Sequence, residues 1–268
     1  MRLGVAFEGG GARCAAELGV LRALARAGVE PYAFAGCGAG AVAAAAGALL
    51  LPPEICLARL KGCARRGRVR MLALRSALES CFPGEIYGSW RLAVPAADLS
   101  TGTARVYASQ FPLRPDPRPW SRQAALCEAL LAAMSVPGAL PPAELRGRQL
   151  AGGGMLRALL PALLRALGAE RVLCVRVVGA EETRAERSRQ AQAVRAATLL
   201  SVPPQDADWT LALENKCAPF GVLDTRAMDA LFETGYAAAA AALPALWRQE
   251  PRPRGKILRF PCIVTEEG

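Results

Sequence analysis

The sequence contains no histidine, and this absence excludes more chemistry than any residue present. Ser-His-Asp and Cys-His hydrolases both use an imidazole as the base, so neither mechanism is open to this chain. A nucleophile here could be activated only by a carboxylate, by a lysine or by nothing. Zinc sites with the usual Cys/His spacing are excluded as well, and we expect neither a metal nor a cofactor.

Long apolar runs and paired cysteines are also missing. No run reaches the roughly 18 residues of a membrane-spanning helix. The apolar start is too short for a signal peptide, because glycines follow at once. The nine cysteines are an odd number and include no C-x-x-C pair, a pattern typical of reduced, mostly buried thiols. These features predict a cytoplasmic protein.

Lysine is scarce, yet the chain is strongly basic because arginine is abundant. Lysine occurs only at Lys61, Lys216 and Lys256, and the formal net charge is +10. The arginines are spread out, without interleaved aromatic residues or a nucleic-acid motif, so we expect no nucleic-acid partner. One dense stretch, 61–70, is called the basic cluster below. It fits either a solvated helix end and loop or a patch that contacts membrane headgroups.

Apolar strand patterns alternate with helical patterns along the chain. The strand patterns cover 2–7, 29–35, 90–94, 104–109, 171–178, 209–213 and, more weakly, 256–264. The helical patterns cover 13–27, 40–50, 54–80, 122–134, 156–167, 181–200 and 224–247. This alternation predicts an α/β fold with a mostly parallel sheet. We find no repeat and no linker, so we expect one domain over 1–268, with the tail 251–268 packed on it.

Three glycine-rich segments accompany these elements. The first, the glycine loop (8–13, EGGGAR), lies between a strand and a helix, where bare N–H groups and the helix dipole favour an anion. No P-loop Lys-Ser/Thr follows it, which argues against a nucleotide site. The second, the elbow (36–40, GCGAG), has the layout of the nucleophile elbow G-x-S-x-G. The third glycine segment (150–155, LAGGGM) precedes the helical pattern 156–167.

In this order, the motifs resemble those of the patatin-like phospholipase family. That family combines a G-G-G-x-R/K oxyanion loop, a G-x-S-x-G elbow and a later D-G-G/A motif, and its Ser-Asp dyad needs no histidine. Further landmarks of the family have counterparts at 98–102, 134–142 and 235–238, so the resemblance covers nearly the whole chain. It implies a three-layer α/β/α fold, ester hydrolysis of the phospholipase A or lipase type, and a lipid or acyl-ester ligand. It also implies an oxyanion hole formed by Gly9, Gly10, Gly11 and Arg13.

The departures from the family pattern fall on the reactive positions. The place of the serine is taken by Gly38. The place of the aspartate is Gly152 when counted back from Gly168, or Ala151 if the register slips by one. Without nucleophile and base, an enzyme keeps only what its oxyanion hole and its binding supply. We therefore predict that the chain is inactive as it stands.

Other residues could be considered as replacements. Cys37 adjoins the vacant position, but no base is available, and a neighbouring elbow residue points away from the nucleophile's direction. Ser135 fits better as a residue that bonds the backbone, and Asp98 as a residue that closes a turn.

Two hypotheses stay open. The chain is either an acyl hydrolase scaffold whose dyad was removed, naturally or by design, or a natural pseudoenzyme that binds lipid, an acyl chain or an anion. In both, Gly38 should meet the glycine loop at the carboxyl ends of adjacent parallel strands.

Overall fold

The apolar runs of the sequence form the strands of one central sheet. The computed structural model describes residues 1–179, 186 and 188–248, so the predicted tail 251–268 and strand 256–264 lie outside the described residues. The sheet strands are β1 Leu3–Phe7, β2 Ala33–Gly36, β5 Leu92–Asp98, β6 Thr103–Ala108, β7 Trp120–Ser121, β8 Ala143–Leu145, β9 Arg148–Ala151, β10 Arg171–Arg176 and β11 Trp209–Ala212. A separate hairpin contains β3 Ala64–Arg65 and β4 Arg68–Val69.

The sheet is mostly parallel. Its order is β11-β10-β1-β2-β5-β6-β7, and every pair from β11 to β5 is parallel. On the other side of β5 the pairing is mixed, because β6 and β9 both join β5 antiparallel and β8 pairs with β9. The α/β class and the mostly parallel sheet predicted from the sequence are therefore confirmed.

Helices cover both faces of the sheet. They are α1 Cys14–Arg26, α2 Gly40–Ala48, α3 Pro53–Leu60, α4 Met71–Cys81, α5 Leu126–Met134, α6 Leu160–Ala166, α7 Arg189–Leu199, α8 Glu214–Cys217 and α9 Met228–Leu246. Alternate side chains of β1 point to opposite faces of the sheet. Phe7 packs in the core beneath α1, α2 and α9, whereas Ala6 packs with Leu160 and Leu164 of α6. The result is the expected three-layer arrangement. In the described part of the chain no helix has both the length and the apolar character needed to cross a bilayer.

The helix predicted over 54–80 is wrong. The pattern 54–80 does not form one helix, because the β3–β4 hairpin separates α3 from α4. The two turn residues, Arg66 and Gly67, both have positive φ, at 51° and 71°. A two-residue turn of that kind matches the twist of a β-hairpin and cannot continue a helix. The basic cluster is therefore presented on a hairpin.

The contact between α1 and α9 explains one of the sequence landmarks. A Cβ added to Gly19 would overlap the carbonyl oxygen of Phe232, and one added to Gly235 would overlap that of Ala16. The two helices thus touch through their backbones, which only glycine permits. The glycine of the 235–238 landmark is required by helix packing.

Candidate active site

The glycine loop and the elbow meet where β1 and β2 end. Phe7 and Gly36 are register partners in this parallel pair, and the Cys37 N–H donates to the Phe7 carbonyl at 3.1 Å. A Cβ added to Gly40 would lie 2.5 Å from the backbone nitrogen of Gly9. Since this is contact between backbones, no side chain fits between the two segments. The predicted meeting of the glycine segments at adjacent strand ends is confirmed.

Position 38, the predicted place of the nucleophile, has the backbone geometry of a sharp turn and space for a Cβ. Gly38 has a φ of 54°, in the left-handed region that a sharp strand-to-helix turn requires. A Cβ added there would lie 3.4 Å from the Cα of Gly153, which is ordinary van der Waals contact. A serine would therefore fit at this position, with the backbone penalty of a left-handed L-residue, about 1–2 kcal/mol.

Three backbone N–H groups around Gly38 are free to bind an anion. In the described parts of the chain, the N–H groups of Gly10, Gly11 and Ala39 have no acceptor. Two of these residues belong to the predicted oxyanion hole, whereas Ala39 does not. Ala39 precedes the first turn of α2, so the positive end of that helix dipole adds to the attraction.

The remaining predicted donors have other partners. The Gly9 N–H donates to Oε1 of Glu17 at 2.9 Å. The buried Arg13 side chain donates from Nε and Nη2 to the Phe220 carbonyl at 3.0 and 2.6 Å, and from Nη1 to the Val177 carbonyl at 3.4 Å. These hydrogen bonds connect the end of the glycine loop to the segments that contain Phe220 and Val177. A direct part for Gly9 or Arg13 in an oxyanion hole stays a prediction.

An apolar cavity of about 80 Å³ lies beside Gly38 and the three free N–H groups. Its walls include the side chains of Val42, Leu60, Leu74, Val136 and Met228. Among the described residues, no arginine, lysine, aspartate or glutamate lines it. A site with apolar walls and a few convergent N–H donors suits the carbonyl or carboxylate end of an acyl chain.

The predicted aspartate position has no room for a side chain. A Cβ added to Gly152 would overlap the carbonyl group of Ala133 at the end of α5. The Gly152 N–H donates to the Ser135 carbonyl at 2.9 Å, and Gly152 does not line the cavity. The alternative position, Ala151, is buried in β9, where it pairs with Ala97. Assignment of the aspartate to either residue stays a prediction.

Gly153 and Gly154 line the cavity, but neither position has room for a side chain. Gly153, which lies against Gly38, has a φ of 96°, and a Cβ there would lie 2.6 Å from Cγ2 of Val136. A Cβ at Gly154 would lie 2.5 Å from Oγ1 of Thr198. No carboxylate side chain can therefore enter from 152–154 without movement of its surroundings.

Two buried carboxyl groups, Glu8 in the glycine loop and Glu17 in α1, were not among the site residues predicted from the sequence. Burial raises the pKa of Glu8 to about 7, although Arg157 and Arg176 act in the opposite direction. The Nη1 of Arg157 donates to Oε2 of Glu8 at 3.0 Å. Burial also raises the pKa of Glu17 to about 8, and the carboxyl group of Glu17 accepts the Gly9 N–H.

Glu17 could have been found from helical spacing. It falls three residues after Cys14 and four before Leu21, and both are buried in α1. A glutamate on an apolar helix face needs a buried partner, and here that partner is the glycine loop. No spacing in the sequence pointed to Arg157, because its contact with Glu8 depends on the 3₁₀ turn Gly154–Leu159 that precedes α6.

Cys37 is not placed to react in the cavity. Its thiol is fully buried and donates to the Glu8 carbonyl at 3.1 Å. It packs with Ala35 of β2 and with Leu160 of α6, on the sheet face opposite the elbow helix. Burial and the nearby carboxyl groups raise the pKa of this thiol well above its usual range. The expectation that it points away from the nucleophile's direction is confirmed.

Ser135 and Asp98 have the structural roles expected of them. The Ser135 hydroxyl donates to the Leu131 carbonyl at 2.9 Å. The Asp98 carboxylate accepts the Ser100 N–H at 3.0 Å and so closes the turn after β5. Neither side chain lines the cavity.

Comparison with known proteins agrees with this architecture. The family model for patatin-like phospholipases matches residues 5–164. The crystal structure of VipD from Legionella pneumophila is similar, with a TM-score of 0.52, and the match covers 91% of this chain and 67% of the VipD chain. The two sequences are 12% identical over the match, so the likeness concerns the fold alone.

Position 38 has room for a Cβ and position 152 has none. Alanine substitutions at the two positions should therefore lower the free energy of unfolding by different amounts. G38A should cost about 1–2 kcal/mol, the left-handed backbone penalty. G152A should cost about 3 kcal/mol or more, because overpacking here meets a backbone carbonyl. Urea unfolding of both variants measures this. G62A is the control, since a Cβ at Gly62 meets nothing within 4 Å; G152A as stable as G62A would show that position 152 is open.

Proposed function

Because the chain belongs to the patatin-like phospholipase family, whose fold is an acyl hydrolase scaffold, we propose that it binds an acyl group without cleaving it. One observation carries the proposal. Gly38 has no reactive group, yet the cavity beside it keeps free N–H groups from Gly10, Gly11 and Ala39. Anion binding is retained where the nucleophile is lacking.

The N–H groups favour a ligand that is already an anion. In a hydrolase, such donors stabilise the oxyanion that forms when a nucleophile attacks, and one donor contributes about 10²–10³ in rate. With glycine at position 38, no attack creates that oxyanion. A fatty acid carboxylate carries the negative charge in its ground state, so it should bind more tightly than the corresponding ester.

The cavity size limits what enters it. At about 80 Å³ it is smaller than the roughly 150 Å³ engineered cavity that holds benzene. As it stands, it accommodates a carboxylate and the first carbons of a chain. We therefore propose acyl chains whose carboxylate end lies in the cavity as ligands, with the remainder of a medium chain reaching beyond it.

Among the described residues, no carboxylate is available as a substitute base. The Glu17 side chain accepts the Gly9 N–H, and the Glu8 side chain pairs with Arg157; neither residue lines the cavity. Since a serine without a base is a weak nucleophile, restoring serine at position 38 alone should not restore turnover.

The first test compares binding with hydrolysis. The protein should bind octanoate, measured by calorimetry, and should show no turnover of a short-chain nitrophenyl ester above background. A139F, which fills the cavity from a lining residue, should weaken binding by at least about tenfold, or about 1.4 kcal/mol. A25F adds the same side chain at an exposed position of α1 and should leave binding unchanged.

The same assays separate this proposal from the hypothesis of a removed dyad. The double variant G38S/G152D should be unstable or inactive, because the aspartate overlaps the end of α5. A well-folded double variant with rapid turnover would instead identify a hydrolase scaffold that lacks only its two reactive groups. Turnover by the unaltered protein would contradict the proposal directly.

We further propose that the basic cluster contacts an anionic membrane surface. Lys61 pairs with Asp229 at 2.5 Å. Arg65, Arg66 and Arg68 are exposed on the hairpin and form no ion pair with the described residues. The other side of the same hairpin lines the cavity through Ala64 and Val69. A membrane held at the hairpin would therefore lie close to the cavity.

Vesicle binding tests this contact. Each arginine near an anionic surface contributes about 1 kcal/mol, so R65Q/R66Q/R68Q should lower partition onto phosphatidylserine vesicles by roughly a hundredfold. R26Q/R114Q/R146Q removes the same charge from exposed positions elsewhere and should have a much smaller effect. Equal losses in the two variants would show that only net charge matters.

A cytoplasmic location also stays part of the proposal. All eight cysteines in the described residues are free thiols, which is the usual state in a reducing compartment.

A further inference from the structure

The glycine loop holds three consecutive residues in a conformation that the glycines themselves do not fix. Gly9, Gly10 and Gly11 have φ angles of 78°, 143° and 61°, and glycine adopts such positive values about as readily as negative ones. The directions of the Gly10 and Gly11 N–H groups depend on these angles. Since ordering a flexible backbone costs entropy, contacts from outside the loop are needed to hold the N–H groups toward the cavity.

The buried side chain of Arg157 makes one such contact and connects it to two further segments. Its Nη1 donates to Oε2 of Glu8 at 3.0 Å, and its Nη2 donates to the Ser201 carbonyl at 3.0 Å. Glu8 directly precedes the three glycines, and Ser201 follows the end of α7. One guanidinium group thus joins the glycine loop, the 3₁₀ turn Gly154–Leu159 and the end of α7.

Each of these three parts of the chain also borders the cavity. The glycine loop contributes Gly10 and Gly11, the residues at the start of the 3₁₀ turn include Gly153, and α7 contributes Val194 and Thr198. Loss of the Arg157 hydrogen bonds would therefore release three parts of the cavity wall from one another.

We propose that Arg157, through its ion pair with Glu8, is a positioning residue that holds the Gly10 and Gly11 N–H groups toward the cavity. Neither Arg157 nor Glu8 lines the cavity, so the pair acts on the loop and not on the ligand. The proposal rests on the proposed acyl binding for its ligand measurements, whereas the order of the loop is measured without a ligand.

Two other contacts hold the loop, and the Glu8 pair adds what they lack. The Gly9 N–H donates to Oε1 of Glu17 at 2.9 Å, and Arg13, which follows the glycines, donates to two carbonyl oxygens. Together with the Glu8 side chain, these contacts fix the loop on both sides of its glycines. Of the three, the Glu8 pair supplies the link to the third glycine segment.

The main test replaces the ion pair by two apolar side chains in E8M/R157M. Replacing both members of a buried ion pair by apolar residues of similar volume is often neutral or stabilising, so the variant should fold, which a thermal melt checks. Its net charge is unchanged. In the ligand-free, isotope-labelled protein, the NMR order parameters of the Gly10 and Gly11 amides should fall from about 0.85, typical of rigid backbone, to below about 0.6.

Two ligands of equal chain length separate positioning from general support of the fold. Octanoate needs the N–H groups for its carboxylate, whereas 1-octanol depends mainly on the apolar walls. By calorimetry, E8M/R157M should bind octanoate at least about tenfold more weakly than the unaltered protein and should bind octanol equally well. An equal loss for both ligands would indicate a purely structural role and would overturn the proposal.

R165M is the matched control, because Arg165 also forms an ion pair from a largely buried position, with Asp208 at 3.0 Å. Arg165 does not line the cavity. R165M should leave the order parameters of both glycines and the ratio of the two affinities unchanged.

R157K decides the result if the double variant fails to fold. A lysine keeps the charge but lacks the guanidinium fork that reaches both Glu8 and Ser201, so the order parameters should again fall. Unchanged order parameters of Gly10 and Gly11 in a folded variant would overturn the proposal, as would low values in the unaltered protein. Failure of the unaltered protein to bind octanoate would instead contradict the proposed function, and the order parameters would still decide the role of Arg157.

Discussion

Contact between the backbones of the glycine loop and the elbow is the constraint on which the site depends. The parallel register of β1 and β2 brings both segments to one edge of the sheet, and Gly9, Gly36 and Gly40 leave no space there for a Cβ. As a consequence, α1 and α2 begin side by side, and the free N–H groups converge. This constraint is steric, so the small residues of the elbow are needed whether or not position 38 carries a nucleophile.

The two positions predicted for the missing dyad differ in what surrounds them. Space for a side chain remains at Gly38, whereas the end of α5 closes the space at Gly152. Simple removal of two side chains from a working hydrolase would leave two vacant spaces. With the aspartate assigned to Gly152 as the sequence predicts, one vacancy and one closed position favour the proposal of a pocket remodelled around glycine. The buried pair of Glu8 and Arg157 further distinguishes this loop from one surrounded by glycines alone.

Much of the fold and part of the site could be predicted from the sequence. Alternating strands and helices, together with glycines at strand ends, were sufficient for the parallel sheet and for the meeting of Gly38 with the glycine loop. The hairpin turn at Arg66 was missed because the apolar spacing of 54–80 continues through it. The closure of Gly152 could not be predicted, since it depends on where the end of α5 packs. The lack of an acceptor for the Ala39 N–H follows from the elbow turn itself. The hydrogen bond from the Gly9 N–H instead depends on the side chain of Glu17.

The central claim is that Gly10, Gly11 and Ala39 form a working anion site beside a position without a nucleophile. Amide NMR of the isotope-labelled protein, titrated with octanoate, tests it most directly. The account predicts saturable shifts of the Gly10, Gly11 and Ala39 amide signals, with one common dissociation constant. The Gly9 amide, already bonded to Glu17, should shift less. Octanoate binding that leaves these three signals unchanged would contradict the account.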